Sequence, residues 1–471
     1  MAASGSKPIS FYSKFYIGIC WVVAACGGLM FGYDIGISGG VTAMDDFLIK
    51  FFPAVYEKKK RAKEDNYCKF DNQLVQLFTS SLYISALVSS FLASKVCSKY
   101  GRKRTIFCSS IFCLLGVGVT ASAHHLPQLI VGRILLGVGV GFGNEAIPLY
   151  LSELAPISIR GGVNIMFQLF VTIGILIANL VNWGCSHVHP FGWRLALGVG
   201  GFPAVILFLG SFIIPETPTS LIEREKVEKG QKTLQKIRRT EDVDVEFQQI
   251  VNACEVAGQV EGSWSEVFSR QNHPPLIIGM LIQVFQQFTG INAIMFYAPV
   301  LFQTVGFGSN GALLSSVCTG CINVICTLIA NFSVDKFGRR ALLLESCIQM
   351  FITQTIIGGI LYVHLTPTVG LNKHNGLAVV VLVLIFVAGF AWSWGPLGWL
   401  IPSETFPLEA RTVGFAFAVS TNMLFTFVIA QSFLSMLCHM RSFIFFFFAA
   451  WVLIMGLFVL FFVPETKNIP I

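Results

Sequence analysis

The chain has 471 residues, of which 54% are hydrophobic and only 12% charged, and its mean hydropathy is +0.71. A soluble protein carries about twice that charged fraction, and here the apolar residues come in long blocks, so a water-soluble globular protein is excluded. The net charge of +7 is modest and its basic residues cluster between the blocks. That argues against nucleic-acid binding and for orientation signals and anionic lipid headgroups.

The N-terminus, MAASGSKPISFYSKF, is short and polar. The block after it is too long for a signal peptide and has no small-residue cleavage pattern, so it is expected to stay as the first membrane helix. Twelve spans are predicted, at about 15–41, 73–97, 105–123, 127–152, 163–184, 193–214, 275–305, 311–333, 341–364, 376–401, 413–437 and 442–463. Span 1 holds Asp34 within GGLMFGYDIGISGG, where a carboxylate costs at least a few kcal/mol. The segment 42–72 contains helix formers and is expected to form a small external cap. The links KYGRKR and DKFGRR, and the charged stretch 215–274, place these regions and both termini in the cytoplasm by the positive-inside rule. YEKKKRAKED, in the cap, is the one basic segment that disagrees.

The chain divides into an N-terminal half, 1–214, a cytoplasmic linker of short helices, 215–274, and a C-terminal half, 275–471. The halves repeat: YGRKR echoes FGRR, SELAPISIRG echoes SETFPLEARTVG, and PETPTS echoes PETK. Six spans is an even number, so both halves run the same way. The predicted fold is therefore an all-α membrane protein of twelve transmembrane helices in two parallel six-helix halves, with a binding site at their interface.

Polar side chains recur at helical spacing inside the spans. Gln283, Gln286 and Gln287 share one face of span 7, and Asn292 follows Gly290, where a break is expected. Gln168 and Thr172 on span 5, Thr319, Asn323 and Thr327 on span 8, and Asn422 and Thr426 on span 11 form further stripes. An amide donates and accepts, as a sugar hydroxyl does, and the indoles of Trp392, Trp394 and Trp399 in span 10 can cover a pyranose face. The plainer reading is amide bridging between helices, which four converging stripes make less economical.

Asp34 and Arg133 each lie roughly 10 Å below the outer face, counting 1.5 Å per residue, and form the depth-matched pair. Glu145 lies about 18 Å further along span 4, too far to reach Arg133. Burial favours a neutral Asp34 and a nearby arginine favours a charged one. If the two separate during a conformational change, Asp34 binds a proton in a state-dependent way; otherwise the pair is a structural brace.

Arg102, Arg104, Arg160, Arg339, Arg340, Arg411, Glu153, Glu216, Glu404 and Glu465 fall on the cytoplasmic side. They read either as topology signals or as an ion-pair latch. Thirteen cysteines are scattered, and CTGC lies mid-span, so no metal site is expected. Cys68, Cys185 and Cys438 reach the oxidising exterior, which leaves three possible pairings. The sequon Asn331–Phe332–Ser333 sits at a cytoplasmic span end, so glycosylation is not expected there. No nucleophile–base set or phosphate loop is evident, so an enzyme is not expected.

The motifs GRKR, GRR, PETPTS, QQFTGIN, GPLGWLIPSE and PETKN resemble those of the sugar porter branch of the major facilitator superfamily. YCKFD and FAWSWGPLGWLIPSETFPLEAR resemble the plant sugar transport proteins, which are plasma-membrane proton–hexose symporters. The resemblance covers nearly the whole chain. Phe288 stands where the family usually has Leu, Glu145 where many members have Gln, and the family usually carries a longer basic tail. The resemblance implies sugar contacts by Gln168, Gln286, Gln287, Asn292, Asn323, Trp399 and Asn422, with Phe31 and Thr426 as further candidates and Gln283 as a structural residue. It implies proton coupling through Asp34 with Arg133, supports the latch, and implies a Cys68–Cys438 disulfide. The expected function is proton-coupled import of a glucose-like hexose across the plasma membrane by alternating access, as a monomer and without a cofactor. The alternatives are a facilitative uniporter, which needs no titratable Asp34, and a transporter-like sugar sensor.

Overall fold

A computed structural model describes residues 11–60, 67–68, 71–156, 159–238, 240, 242–258, 267–270, 272–365 and 371–463. Their regular elements are all helices, and twelve helical segments are long and apolar enough to cross a membrane. The first half consists of α1 (Phe11–Ala43), the cap helices α2 (Asp45–Phe51) and α3 (Pro53–Lys60), α4 (Gln73–Tyr100), α5 (Arg102–Ala121), α6 (Leu126–Leu154), α7 (Arg160–Cys185), α8 (Gly192–Val199) and α9 (Gly201–Ile213). Three amphipathic or short helices follow: α10 (Pro218–Glu223), α11 (Val227–Arg238) and α12 (Asp244–Gly258). The second half comprises α13 (His273–Phe288), α14 (Ile291–Val305), α15 (Ser309–Phe337), α16 (Arg339–His364), α17 (Lys373–Ala391), α18 (Trp394–Thr405), α19 (Leu408–Met440) and α20 (Phe443–Phe462).

In a membrane, backbone groups must be satisfied within the segment, which is why the long apolar runs become helices. Large apolar side chains such as Val88, Ile348 and Leu453 stay exposed around the circumference, a surface suited to lipid. Inside, small residues let backbones approach. At Gly32 an added Cβ would lie 1.9 Å from the Val171 carbonyl oxygen, so α1 and α7 pack in close contact.

The internal repeat is visible in the backbone. Gly101 joins α4 to α5 with φ 96° and ψ 168°, and Gly338 joins α15 to α16 with φ 85° and ψ 164°. The two GR motifs therefore make the same tight turn, in a left-handed region that favours glycine.

Two spans of the second half are broken where the site lies. Gly290, at φ +84°, separates α13 from α14, at the break expected from the sequence. Trp392 and Ser393 separate α17 from α18.

The halves meet chiefly along α4 with α19, α7 with α15, and α1 with α14, and α7 also meets α18. Contacts occur at both ends. At the cap end Gln73 and Gln76 donate to Ser435, at 2.9 and 3.1 Å, and Ser80 donates to Gln431 at 2.6 Å. At the opposite end Asn164 donates to Ser403 at 2.7 Å, and Ser94 to the Thr412 carbonyl at 3.4 Å. Hydrogen bonds thus join the halves at both ends of the bundle.

Candidate functional site

The breaks in the second half bring amides from three helices together. Asn422 of α19 donates to Gln283 at 2.6 Å and to Gln286 at 2.7 Å, both on α13. Gln286 in turn donates to the Trp394 and Gly395 carbonyls, at 2.9 and 3.3 Å, which the break before α18 exposes. Gln283 donates to the Gly398 carbonyl at 2.6 Å. It therefore ties α13 to both α18 and α19, a supporting position. Asn292 donates to Gln287 across the Gly290 turn, and Thr426 donates to the Asn422 carbonyl at 2.7 Å.

The other expected residues surround this cluster with different closeness. The Trp399 ring meets Phe167 edge-on at 5.7 Å between centroids. Phe167 belongs to the first half and was not anticipated; its place one residue before Gln168 was the available signal. A Cβ on Gly395 would lie 3.3 Å from Gln168 Nε2, so Gln168 reaches across to α18. Asn323 and Phe31 are buried, and the Asn323 side-chain oxygen accepts no hydrogen bond. Trp394 is fully buried, whereas the Trp392 indole donates to Glu345 at 3.1 Å, away from the amides.

The predicted ion pair is present. Arg133 Nη1 stands 3.6 Å from Asp34 Oδ1, with both side chains buried. This is a charge contact longer than a hydrogen bond, and Asp34 Oδ2 has no hydrogen-bond partner. Arg133 directs its N–H groups elsewhere: Nε to the Phe78 carbonyl at 3.1 Å, and Nη2 to Ser38 Oγ at 2.7 Å and the Thr79 carbonyl at 3.5 Å. The guanidinium also lies over the Phe78 ring, 4.8 Å from its centroid. Ser38, one turn after Asp34 on the same helix face, was missed, although its i+4 spacing was readable.

At the end opposite the cap, Arg102 is buried and donates to Glu153 at 2.7 Å and to Glu223 at 2.7 Å. Glu216 accepts from the Arg102 backbone N–H at 3.0 Å and pairs with Arg224 at 3.4 Å. Arg339 pairs with Glu404 at 3.2 Å. Each of these ion pairs lies within one half and its adjoining linker. Arg340 donates to the Leu460 carbonyl and Arg411 to the Phe406 carbonyl. Arg104 lies over the Tyr100 ring. Glu465 and the Arg160 side chain lie outside the described residues. Glu223, of the short helix α10, was not anticipated.

Cys68 and Cys438 form a disulfide with their Cα atoms 4.6 Å apart. Cys185 is a free thiol. The bond joins the segment ahead of α4 to the end of α19.

A family model described as "Sugar (and other) transporter" matches residues 20–471. The chain belongs to the sugar transporter family. It is 63% identical over 471 residues to Sugar transport protein 8 of Arabidopsis thaliana, covering 100% of this chain and 93% of that one. It is 57% identical over 455 residues to Sugar transport protein MST4 of Oryza sativa subsp. japonica, covering 96% and 88% of the two chains. The fold is similar to that of the proton:xylose symporter XylE bound to 6-bromo-6-deoxy-D-glucose, with a TM-score of 0.83, 26% identity and coverage of 97% and 98%. Against the inward-open conformation of XylE from E. coli the TM-score is 0.74, at 25% identity and coverage of 96% and 97%. This family of plant sugar transport proteins, in the major facilitator fold, consists of transporters rather than enzymes.

Proposed function

We propose that the protein imports a monosaccharide of the glucose-like hexose class together with a proton across the plasma membrane, working as a monomer by alternating access, with both termini cytoplasmic. The observation that carries this reading is the Asp34–Arg133 contact at 3.6 Å in the half facing the amide cluster. Arg133 keeps its bonds to α4 and Ser38 whether or not Asp34 is charged. Asp34 can therefore take up and release a proton without leaving the arginine unsupported.

In this reading the hexose displaces amide–amide bonds among Gln286, Gln287, Asn292 and Asn422. Its hydroxyls take their place, and Trp399 and Phe31 offer apolar contact to the ring. Gln168 and Asn323 contribute from the two flanking helices, with Thr426 as a further partner. Proton entry down one pH unit releases about 1.4 kcal/mol, and 100 mV adds about 2.3 kcal/mol. Together they support accumulation on the order of several hundredfold. Arg102, Arg160, Arg339, Arg340 and Arg411, with Glu153, Glu216, Glu404 and Glu465, would keep each half rigid and latch the cytoplasmic end.

Uptake of labelled hexoses into liposomes, with and without a pH gradient, tests the proposal. Accumulation above the external concentration is expected only with the gradient. Equilibration regardless of it would identify a uniporter.

A further inference from the structure

Glu145 of α6 is fully buried, and neither carboxylate oxygen has a hydrogen-bond partner. A carboxylate charge so placed has neither water nor a donor to stabilise it, a cost of several kcal/mol. Asp34 is different, having an arginine beside it. The charged group set against Glu145 is Arg102 at the start of α5, and from α4 the titratable neighbour is the Cys97 thiol. Arg102, however, is already engaged by Glu153 and Glu223.

The position of Glu145 ties it to the closure between the halves. Gly137 and Gly141 of α6 pack against Leu82 and Ala86 of α4. The same register places Glu145, one turn further, level with Ser90. On its other side α4 bonds to α19: Ser90 to Ser420 at 2.6 Å, and Ser94 to the Thr412 carbonyl. The α4 segment between Glu145 and α19 is therefore part of the seal at the Arg102 end.

We propose that Glu145 is a second proton-binding site, exchanging with the compartment at the Arg102 end, and that it must hold its proton for that end to close. The carboxylate takes one proton from that compartment as the end seals and returns it there as the end opens. This group thus moves no net proton across the membrane. It makes the return of the carrier depend on the pH of the compartment into which sugar is delivered. The inference rests on the proton-coupled reading above, but its test is separable from it.

Sugar exchange by Asp34→Asn protein in liposomes, with equal pH on both sides, removes the Asp34 proton from the measurement. Exchange is expected to slow by about tenfold per pH unit once Glu145 ionises, and Asp34→Asn/Glu145→Gln protein is expected to show no such slope. A flat profile for Asp34→Asn alone, or equal slopes in the two proteins, overturns the proposal. Loss of exchange in both proteins would count against the Asp34 reading. Infrared spectroscopy of the wild-type protein and Glu145→Gln then decides: the band of an un-ionised carboxyl group must disappear in the variant, and an unchanged band overturns the proposal.

Discussion

Arg133 faces Asp34 at 3.6 Å yet gives its short, directed hydrogen bonds to Ser38 and the Phe78 carbonyl. The arginine is thus fixed by its surroundings, while the aspartate is held only by charge. Asp34→Asn is expected to abolish uphill accumulation while sugar binding remains detectable. Accumulation by the variant, measured across an imposed pH gradient, would end the proton role of Asp34.

Ser38→Ala removes a hydrogen bond to a charged group, worth about 1.5–3 kcal/mol. The guanidinium then gains freedom to engage Asp34 directly. Transport by Ser38→Ala is expected to need a more acidic exterior than wild type, because Asp34 is held more firmly as a carboxylate. The check is the external pH giving half-maximal uptake; no shift would show that Ser38 does not set the arginine.

Asn422 links two glutamines of α13 to α19. Asn422→Ala leaves both acceptors buried without a donor and removes a sugar contact. About 1–3 kcal/mol per lost partner corresponds to a roughly ten- to hundredfold rise in KM. Concentration-dependent uptake measures it, and an unchanged KM would assign the amides to helix bridging alone.

Arg102→Ala strips two carboxylates of their buried partner. Breaking a buried pair from one side costs about 3–5 kcal/mol, so a large fall in melting temperature is expected in detergent. Arg339→Ala should act in the same direction through Glu404. Melting curves equal to wild type would reduce both pairs to orientation signals.

Reduction of the Cys68–Cys438 bond, or Cys68→Ser, is expected to weaken transport and to lower thermal stability by about 2–4 kcal/mol. Uptake and melting measured with and without reductant give the answer, with Cys185→Ser as the control that should change neither.

Much of the architecture was legible because a membrane imposes long apolar runs, and helix breaks fall at residues such as Gly290 whose conformation is unusual. Depth along a helix is also a one-dimensional quantity, so counting residues was enough to put Asp34 opposite Arg133. Partner choice is different. Whether Arg133 bonds Asp34 or Ser38, and that Arg102 recruits Glu223 from a six-residue helix, depends on rotamers and helix rotation that no spacing encodes. The latch charges could be placed at one end of the bundle from sequence, but which half each pair belongs to could not. The disulfide pairing came from family resemblance, since three cysteines outside allowed three answers.

The covalent join between the segment ahead of α4 and the end of α19 has a geometric consequence for the cap end. It cannot lengthen, and Gln73, Gln76, Ser80 and Gln431 cluster beside it. Where α7 meets α15 at the same level, the halves are held by Trp183 on Asn310 and Asn179 on the Ser316 carbonyl, which can separate. Under the proposed alternating access, the cap end would part like a door hung on one jamb, swinging widest on the α7–α15 side. Sugar arriving from outside would enter through that side.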